Sequence, residues 1–503
     1  MSHQDHGCSC GCTRREFMGG VAGAAGAAGM VGLSSLVAAH GQVAASQPAA
    51  MGPPQPRKPA AIRVVFVYVP SEKLAKDPNA WWSWPGNDFD VEGRQRQYTA
   101  ALAEIEKKYE LKLTIEDKPV ASAAQAQAKA KETANEKPDG VLVVLFFNPL
   151  RRAADEIVEA AEKAGIPAVY YIPLGVMHGP VTRYRRPGLY FIQSMENMEA
   201  VEYGLRMIAA RGRMAQSLLL SITEAPAIRE GTEPFLGTKV RVIPFAHYAQ
   251  EFAKVAIDDP ARKLIERFTA RATRRDGVTR EALENAARAH LAIRRLLDAH
   301  GAQGLTMNCL RRGMLKPCMS FATLNGELTV ATCENDFPAM YGQMIGQLLT
   351  GRGGFQHNPC YDTERNHFYG SHCTCTPKVY GPDGPELPYL LRRFAHTNEG
   401  SCAIQVFFKE GDPVTALHYY PGKQPALDIY AGRVVKSHPM PPAGGCTTNV
   451  EFALTDRADA CSVVGHHNVL FVGDFARQFR QFANLFKMKL GAPGAAGIPG
   501  TPY

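Results

Sequence analysis

Several features that would assign this 503-residue sequence to a common class are missing from it. The formal net charge of +8 is small for the length, and no block of five or six like charges concentrates it, which argues against nucleic-acid binding. Neither common spelling of the glycine-rich phosphate loop occurs, so nothing supports a nucleotide cofactor. No internal repeat is evident. The length exceeds what a single hydrophobic core usually supports, so we expect two or three domains.

The N-terminus has the pattern of an export signal. Arg14 and Arg15 precede a Gly- and Ala-rich apolar run (18–39), which is typical of a twin-arginine signal peptide. A chance arginine pair before a membrane anchor is the alternative, but the run is too weakly hydrophobic for a good spanning helix. We therefore expect a signal peptide over 1–45, a Pro-rich linker over 46–60, and an exported, periplasmic or extracellular protein without a stable membrane span.

The chain has twelve cysteines, of which three lie in the predicted signal peptide. The other nine are an odd number spread through a large chain, so we interpret most of them as buried small apolar residues or thiols near a site. One or two disulfides are an alternative in an oxidising compartment. Cys373 and Cys375, next to His372, resemble half of a structural zinc site, but such sites usually need two regularly spaced pairs.

The apolar pattern after residue 60 predicts an α/β fold. Strand-length runs that are apolar on both faces alternate with helical patterns, which is typical of a parallel sheet covered on both sides. The first such runs are IRVVFVYV (62–69), LKLTI (111–115), VLVVLFF (141–147) and AVYYI (168–172). We predict α/β domains over 61–174 and 175–308. Short strand-like runs between Gly and Pro turns then predict a mostly β domain over 309–503, closed by a helix.

Two acidic residues lie at the junction TCENDF, 332–337. An apolar strand pattern ends at Glu334, and a helical pattern follows it with Gly351 as its predicted C-cap. Asp336 is the predicted N-cap of this helix. Glu334 is either a solvated loop residue or a ligand, because ligand sites in α/β folds collect at strand ends.

Histidines are concentrated in two segments near the C-terminus. The segment 355–375 contains His357 and His367, which we interpret as ordinary polar loop residues. His466 and His467 lie just before a strand pattern, where an imidazole can face a cleft and bind a divalent metal. A structural role is the alternative for such a histidine pair.

The segments ATCENDFPAMYGQMIGQLLTG (331–351) and GHHNVLFVGDFARQFRQFANLFKM (465–488) resemble the metal-site segments of the L-fucose isomerase family, which is related to the L-arabinose isomerases. The resemblance implies two Rossmann-like α/β domains followed by a mostly β, barrel-like C-terminal domain. In that family a divalent metal, usually manganese, is held by two carboxylates and a histidine, and an open-chain aldose becomes a ketose through an enediol. The resemblance therefore implies Mn²⁺ or another divalent cation, a free sugar as substrate, and a homo-oligomer, commonly a trimer or hexamer.

The family's functional residues carry over only in part. Glu334 matches the first carboxylate, a metal ligand and proton shuttle, and His467 matches the histidine ligand. An ungapped count places the second carboxylate at Asn358, whose amide can bind metal but cannot take a proton. Asp362 or Glu364 is a replacement, and His372 is a further alternative, as a histidine ligand of the arabinose branch.

These considerations predict a set of site residues and two functions. The predicted residues are Glu334 and Asp362 for catalysis; Glu334, Asn358 and His467 for the metal; and His372, His466 and Trp82 for the substrate. Trp82 belongs to the dense aromatic segment WWSWPG (81–86), for which a buried rim is the alternative to a sugar-binding platform. The predicted function is an aldose–ketose isomerase. The alternative is an exported sugar-binding or sensing protein that kept the isomerase fold with little or no turnover.

Overall fold

The computed structural model describes residues 57–77, 88–173, 181–311, 314–394, 396, 400–440 and 445–493, all within one unit of the chain, Pro53–Tyr503. The predicted signal peptide, most of the linker and Trp82 lie outside these residues, so the predictions about export and about Trp82 stay predictions. Among the helices in the described ranges, none has both the length and the apolar character needed to cross a membrane.

The first sheet is formed by the buried apolar runs that follow the linker. Its strands are β1 (Ala60–Val67), β2 (Leu111–Ile115), β3 (Gly140–Leu145), β4 (Ala168–Pro173) and β5 (Leu189–Ser194), with helices α1 (Ser71–Leu74), α2 (Val91–Tyr109), α3 (Ala123–Glu136) and α4 (Arg151–Lys163) between them. All pairings are parallel, in the order β2-β1-β3-β4-β5. Strands β3 and β4 are buried throughout, as their unbroken apolar runs predict. The last strand lies beyond residue 174.

The second sheet repeats this parallel arrangement with one reversed edge strand. The segment contains β6 (Leu218–Thr223), β7 (Arg229–Thr232), β8 (Lys239–Pro244), β9 (Arg275–Asp276), β10 (Gly304–Met307) and β11 (Val330–Cys333), and helices α5 (Met198–Ala215), α6 (Phe245–Lys254), α7 (Asp259–Ala270), α8 (Arg280–His300) and α9 (Cys318–Gly326). The sheet order is β11-β10-β6-β8-β7, and only β7 runs antiparallel to its neighbour. Its edge strand β11 lies beyond residue 308, after the predicted domain boundary.

The C-terminal part forms a closed antiparallel barrel. It contains β12 (Phe355–Asp362), β13 (His367–His372), β14 (Tyr389–Arg393), β15 (Cys402–Val406), β16 (Pro413–Tyr420), β17 (Ala426–Ser437), β18 (Thr448–Leu454), β19 (Asn468–Val472) and β20 (Lys489–Leu490), and helices α10 (Phe337–Thr350) and α11 (Ala476–Leu485). Six strands, in the order β16-β19-β12-β13-β18-β17, close through the pairing of β17 with β16. Strands β14, β15 and β9 form a small separate sheet. The predicted mixed α/β fold followed by barrel-like strands is therefore confirmed.

The barrel shows that the interpretation of His357 and His367 as loop residues is wrong. His357 lies in β12 with its ring fully buried against the rings of Phe368 and Phe452. Burial lowers the pKa of His357 to about 3. His367 lies in β13, where its Nδ1 is 2.7 Å from a Glu451 carboxylate oxygen. These strands carry polar residues on both faces, so the sequence lacks the alternating apolar pattern that predicts a strand.

Helix α10 connects the second sheet to the barrel. It begins after Asp336, whose side chain accepts a hydrogen bond from the Ala339 backbone N–H at 2.7 Å, and it ends at Gly351 in the left-handed conformation; both caps confirm the prediction. The helix packs closely on the barrel at Gly346, where a Cβ atom would lie 1.9 Å from the Phe471 ring. This contact fixes the helix, and the acidic segment at its N-terminal end, against the barrel.

Candidate metal centre

The segment between β11 and α10 has an unusual backbone that carries the first acidic residue of the site. Glu334 and Asn335 have φ values of 66° and 55°, in the left-handed region that residues other than glycine seldom adopt. Such a conformation costs on the order of 1–3 kcal/mol per residue and persists only where the surroundings enforce it. Here Ser221 Oγ donates to Asn335 Oδ1 at 2.6 Å, and the Asn335 N–H donates to the Met307 carbonyl oxygen at 3.1 Å. The second sheet thus holds Glu334 in place.

The Glu334 carboxylate lies between two imidazole rings supplied by the barrel. Its Oε1 is 3.4 Å from His372 Nε2, at the end of β13, and its Oε2 is 3.5 Å from His467 Nε2, just before β19. Both Nε2 atoms are buried, and neither has a hydrogen-bond partner among the described residues. Burying a polar atom without a partner is costly, so this arrangement favours a further group that both the carboxylate and a ring can bind.

Asp336 determines which nitrogen of His467 is available. Its Oδ2 is 2.7 Å from His467 Nδ1. Because a carboxylate can only accept, the proton is assigned to Nδ1, and Nε2 keeps a lone pair that faces Glu334. Metal-binding histidines almost always donate their other ring N–H to a carboxylate or carbonyl oxygen in this way. The Asp336–His467 pair therefore fits a metal-binding imidazole.

A third side chain completes a set of ligand atoms around this point. Glu334, His466 and His467 each offer one ligand atom, and these atoms all lie within 4.8 Å of one another. His467 is buried, Glu334 is 22% exposed and His466 is exposed, so the set opens to solvent on one side. Catalytic metal sites keep such an open position for water or substrate, whereas structural sites are closed.

The charges of the cluster suit a cation. Burial raises the pKa of Glu334, but the neighbouring His372 and His467 lower it by more than burial raises it. The pKa of Glu334 therefore lies below the usual value. Burial also raises the pKa of Asp336, but the hydrogen bond from His467 outweighs this effect, so that the pKa of Asp336 lies below the usual value. Burial and the nearby His467 lower the pKa of His466. At neutral pH the two acids are therefore carboxylates and His466 is a neutral imidazole, which are the ligating forms.

The structure brings four of the predicted site residues together. Glu334, His372, His466 and His467 converge. Asn358 lies in β12 opposite Ser371 of β13, the residue before His372, and its predicted role as a metal ligand stays a prediction.

Asp362 lies at the turn of the β12–β13 hairpin. One carboxylate oxygen accepts the Arg365 backbone N–H at 3.1 Å, and the other is 3.3 Å from the Arg365 guanidinium. It lies four positions after Asn358 along the strand, about 13 Å in extended chain. These contacts give no support to its predicted catalytic role, which stays a prediction.

Two features of this region were not predicted from the sequence. Asp336 was predicted only as a helix cap, yet its second oxygen binds His467. Cys333 and Cys373, the immediate neighbours of Glu334 and His372, also lie close together, with their sulfur atoms and a His372 nitrogen within 4.8 Å of one another. The dipeptides Cys-Glu and His-Cys were the available signal. All nine cysteines from Cys309 onward are free, so the structure contains none of the alternative disulfides among them.

Comparison of the chain with protein-family models and with curated proteins finds no match. The resemblance to L-fucose isomerases therefore stays a prediction, and a function must be argued from the site.

Proposed function

We propose that this protein is a metal-dependent aldose–ketose isomerase of the L-fucose isomerase type, which acts on a free sugar through an enediol. One observation carries the proposal: the Glu334 carboxylate lies 3.5 Å from the unpaired Nε2 of His467, whose other nitrogen is bound to Asp336. The flavodoxin-like order of the first sheet and the C-terminal barrel are compatible with the architecture of that family. A homo-oligomer is implied by the same resemblance, whereas export by the twin-arginine route is proposed from the N-terminal sequence pattern.

In this proposal Glu334 and His467 bind a divalent cation, and His466 completes the set from the solvent side. Mn²⁺ is the first candidate, as predicted from an oxygen-rich set with one imidazole. The second imidazole also suits iron or zinc, because nitrogen ligands are favoured by the later transition metals. When bound, the cation supplies positive charge beside the sugar oxygens on which negative charge develops.

Glu334 is the proposed proton carrier. Its lowered pKa keeps it ionised before the reaction, so it can accept the proton from C2 of the open-chain aldose and return it to C1. The hydroxyl proton on O2 moves to O1 in the same conversion, so that the ketose has the atoms of the aldose. His466 is exposed beside Glu334, where it can hydrogen-bond a sugar hydroxyl, and His372 holds the other carboxylate oxygen in place.

The proposal is tested by incubating the purified chain with Mn²⁺ and a panel of L- and D-aldoses in D₂O and following the products by NMR. We expect a ketose that carries deuterium at C1, because a proton held on Glu334 exchanges with solvent. Glu334→Gln should reduce the rate by about 10²–10⁴-fold, the usual contribution of general acid–base catalysis. Glu410→Gln, at an exposed turn, is the matched control and should leave the rate unchanged.

The alternative, a sugar-binding protein with little turnover, is favoured by the absence of a second uncommitted acid in the described cluster. Asp336 is already bonded to His467 and to the Ala339 N–H, and Asp362 is engaged by Arg365. Calorimetric binding of a sugar without any ketose would support this alternative. A chain that neither binds nor converts any sugar of the panel would overturn both functions.

A further inference from the structure

A cluster of thiols lies directly beside the carboxylate site. We call it the thiol cluster, and it consists of Cys309, Cys318, Cys333, Cys373 and Cys446. Its members come from separate parts of the fold: Cys318 begins helix α9, Cys333 ends β11, and Cys373 directly follows β13. The second sheet and the barrel therefore both contribute sulfur atoms to one place.

Cys373 is at the centre of the thiol cluster. Its sulfur, the Cys333 sulfur and a His372 nitrogen all lie within 4.8 Å of one another, and the His372 Nδ1 is 3.6 Å from the Cys373 sulfur. Cys318 and Cys446 pack in the same core. Several thiols gathered around one sulfur atom beside an imidazole are an arrangement in which a cation can replace the thiol protons, because cysteine binds metals as the thiolate.

The surroundings are those of a closed site. Cys318 and Cys333 are 2% and 0% exposed, and the cluster packs against Phe321 and Ala331 in an apolar core. Such burial leaves the thiols out of reach of a substrate, which argues against a catalytic nucleophile. Structural zinc sites are closed in this way and have four ligands, for example four cysteines or three cysteines and one histidine.

We propose that Cys318, Cys333, Cys373 and the Nδ1 of His372 bind a thiophilic divalent cation, Zn²⁺ in the first instance, as a structural site beside Glu334. Soft sulfur ligands with one imidazole select zinc over manganese, so the two neighbouring sites would take different metals. Cys446 is left out because it is only partly buried, with its sulfur 4.0 Å from the Thr447 hydroxyl.

The shared histidine gives this site a consequence for its neighbour. With Nδ1 bound on the sulfur side, His372 would carry its proton on Nε2, which lies 3.4 Å from Glu334 Oε1. The imidazole would then orient the carboxylate from behind. The inference does not depend on the isomerase proposal, because the sulfur site would be present whatever reaction Glu334 supports.

The test replaces zinc with Co²⁺ in the purified chain and records the thiolate-to-cobalt charge-transfer absorption. We expect this band in the wild type and in Glu334→Gln. In Cys373→Ala the band should be lost, and elemental analysis should show about one equivalent of zinc less than in the wild type. The matched control is Cys375→Ala, because Cys375 is also buried, two residues away, and its variant should keep the band.

Circular dichroism checks that the variants are folded. A second measurement uses the wild type, so that it does not depend on the folding of any variant. A mercurial thiol reagent added to the wild type should release zinc to a chromophoric chelator. The absence of both the cobalt band and releasable zinc in the wild type would overturn the proposal. If Cys446→Ser removes the cobalt band and Cys318→Ala does not, the choice of Cys318 as a ligand is overturned. A cobalt band in a chain without isomerase activity would leave this inference standing and reject the proposed function.

Discussion

Two carboxylates in this protein each lie between two imidazoles, and they differ in distance. Glu451 has His367 Nδ1 and His438 Nε2 at 2.7 Å from its two oxygens. At Glu334 the two flanking Nε2 atoms are 3.4 and 3.5 Å away, and both lack a hydrogen-bond partner among the described residues. The first acid is saturated by direct hydrogen bonds, whereas the second is not.

The difference indicates what each group is for. A carboxylate that accepts two charge-assisted hydrogen bonds has its binding capacity filled and cross-links the strands that carry its partners. Around Glu334, the nitrogen of His467 that could have donated a proton is turned instead toward Asp336, which leaves a lone pair facing the carboxylate. Two electron-rich groups facing each other repel unless a cation lies between them. The wider spacing is therefore a property of a binding site, and the shorter spacing is a property of a structural contact.

The largest expected effect is on stabilisation by Mn²⁺. A ligand that binds only the folded state at about 100 times its Kd stabilises it by about 3 kcal/mol. We expect Mn²⁺ to raise the free energy of unfolding of the wild type and of Glu451→Gln by this amount, and to leave Glu334→Gln unchanged. Mn²⁺ is used because it discriminates against thiol ligands. Denaturant unfolding with and without the metal measures the effect. Equal stabilisation of both variants would contradict the distinction between the two carboxylates.

A second prediction concerns the contact that fixes helix α10 beside Glu334. In Gly346→Ala the new methyl group would meet the Phe471 ring, so we expect a loss of about 1–3 kcal/mol from overpacking, together with weaker Mn²⁺ binding. Gly212→Ala is the control, because its Cβ would have Ala60 Cβ as its nearest neighbour, at 3.4 Å, and a helix-interior alanine should gain up to about 1 kcal/mol. Chemical denaturation of both variants measures the difference. Unchanged stability of Gly346→Ala would mean that the helix position is adjustable.

A third prediction separates the two roles of Asp336. Asp336→Asn keeps an oxygen for the Ala339 N–H but replaces the acceptor of the His467 proton with an amide, so we expect metal affinity to fall by about 10–100-fold, as for other outer-shell changes. Asp258→Asn, at another helix N-cap that bonds Ala261, is the control and should not affect metal binding. Calorimetric titration with Mn²⁺ measures both. Equal affinity in the two variants would show that Asp336 acts only as a cap.

The sequence predicted the parts of the fold that local patterns determine. Runs that are apolar on both faces gave β3 and β4, and the turn chemistry around α10 gave its two caps. Closure of the barrel was not derivable from the residues alone, because it depends on the pairing of β16 with β17 around the whole circle. His357 was missed because its strand has polar residues on both faces, and its burial depends on the neighbouring strands.

The candidate site was predictable to the extent that a resemblance connected its two halves. Glu334 and His467 were predicted to converge from the quoted segments, and they do. The contact of Asp336 with His467, 131 residues apart, has no local signal, because one oxygen already satisfies the expected cap. For the thiol cluster the only local signal is the pair of dipeptides Cys333-Glu334 and His372-Cys373, since its cysteines come from separate elements and follow no regular spacing. Such contacts are defined by tertiary packing.

The smallest expected effect tests the saturated carboxylate. Burial raises the pKa of Glu451, but hydrogen bonds from His367 and His438 outweigh this effect, so that the pKa of Glu451 lies below the usual value. A depressed pKa contributes stability above the unfolded-state value of about 4.3, and the contribution is lost as the pH falls through the folded-state value. We expect Glu451→Gln to cost about 1 kcal/mol near neutral pH and progressively less below about pH 4, as the wild-type carboxylate is protonated. Urea unfolding of both chains across this range measures the difference. A cost that stays constant with pH would mean that the two imidazoles recognise the shape of the side chain and not its charge.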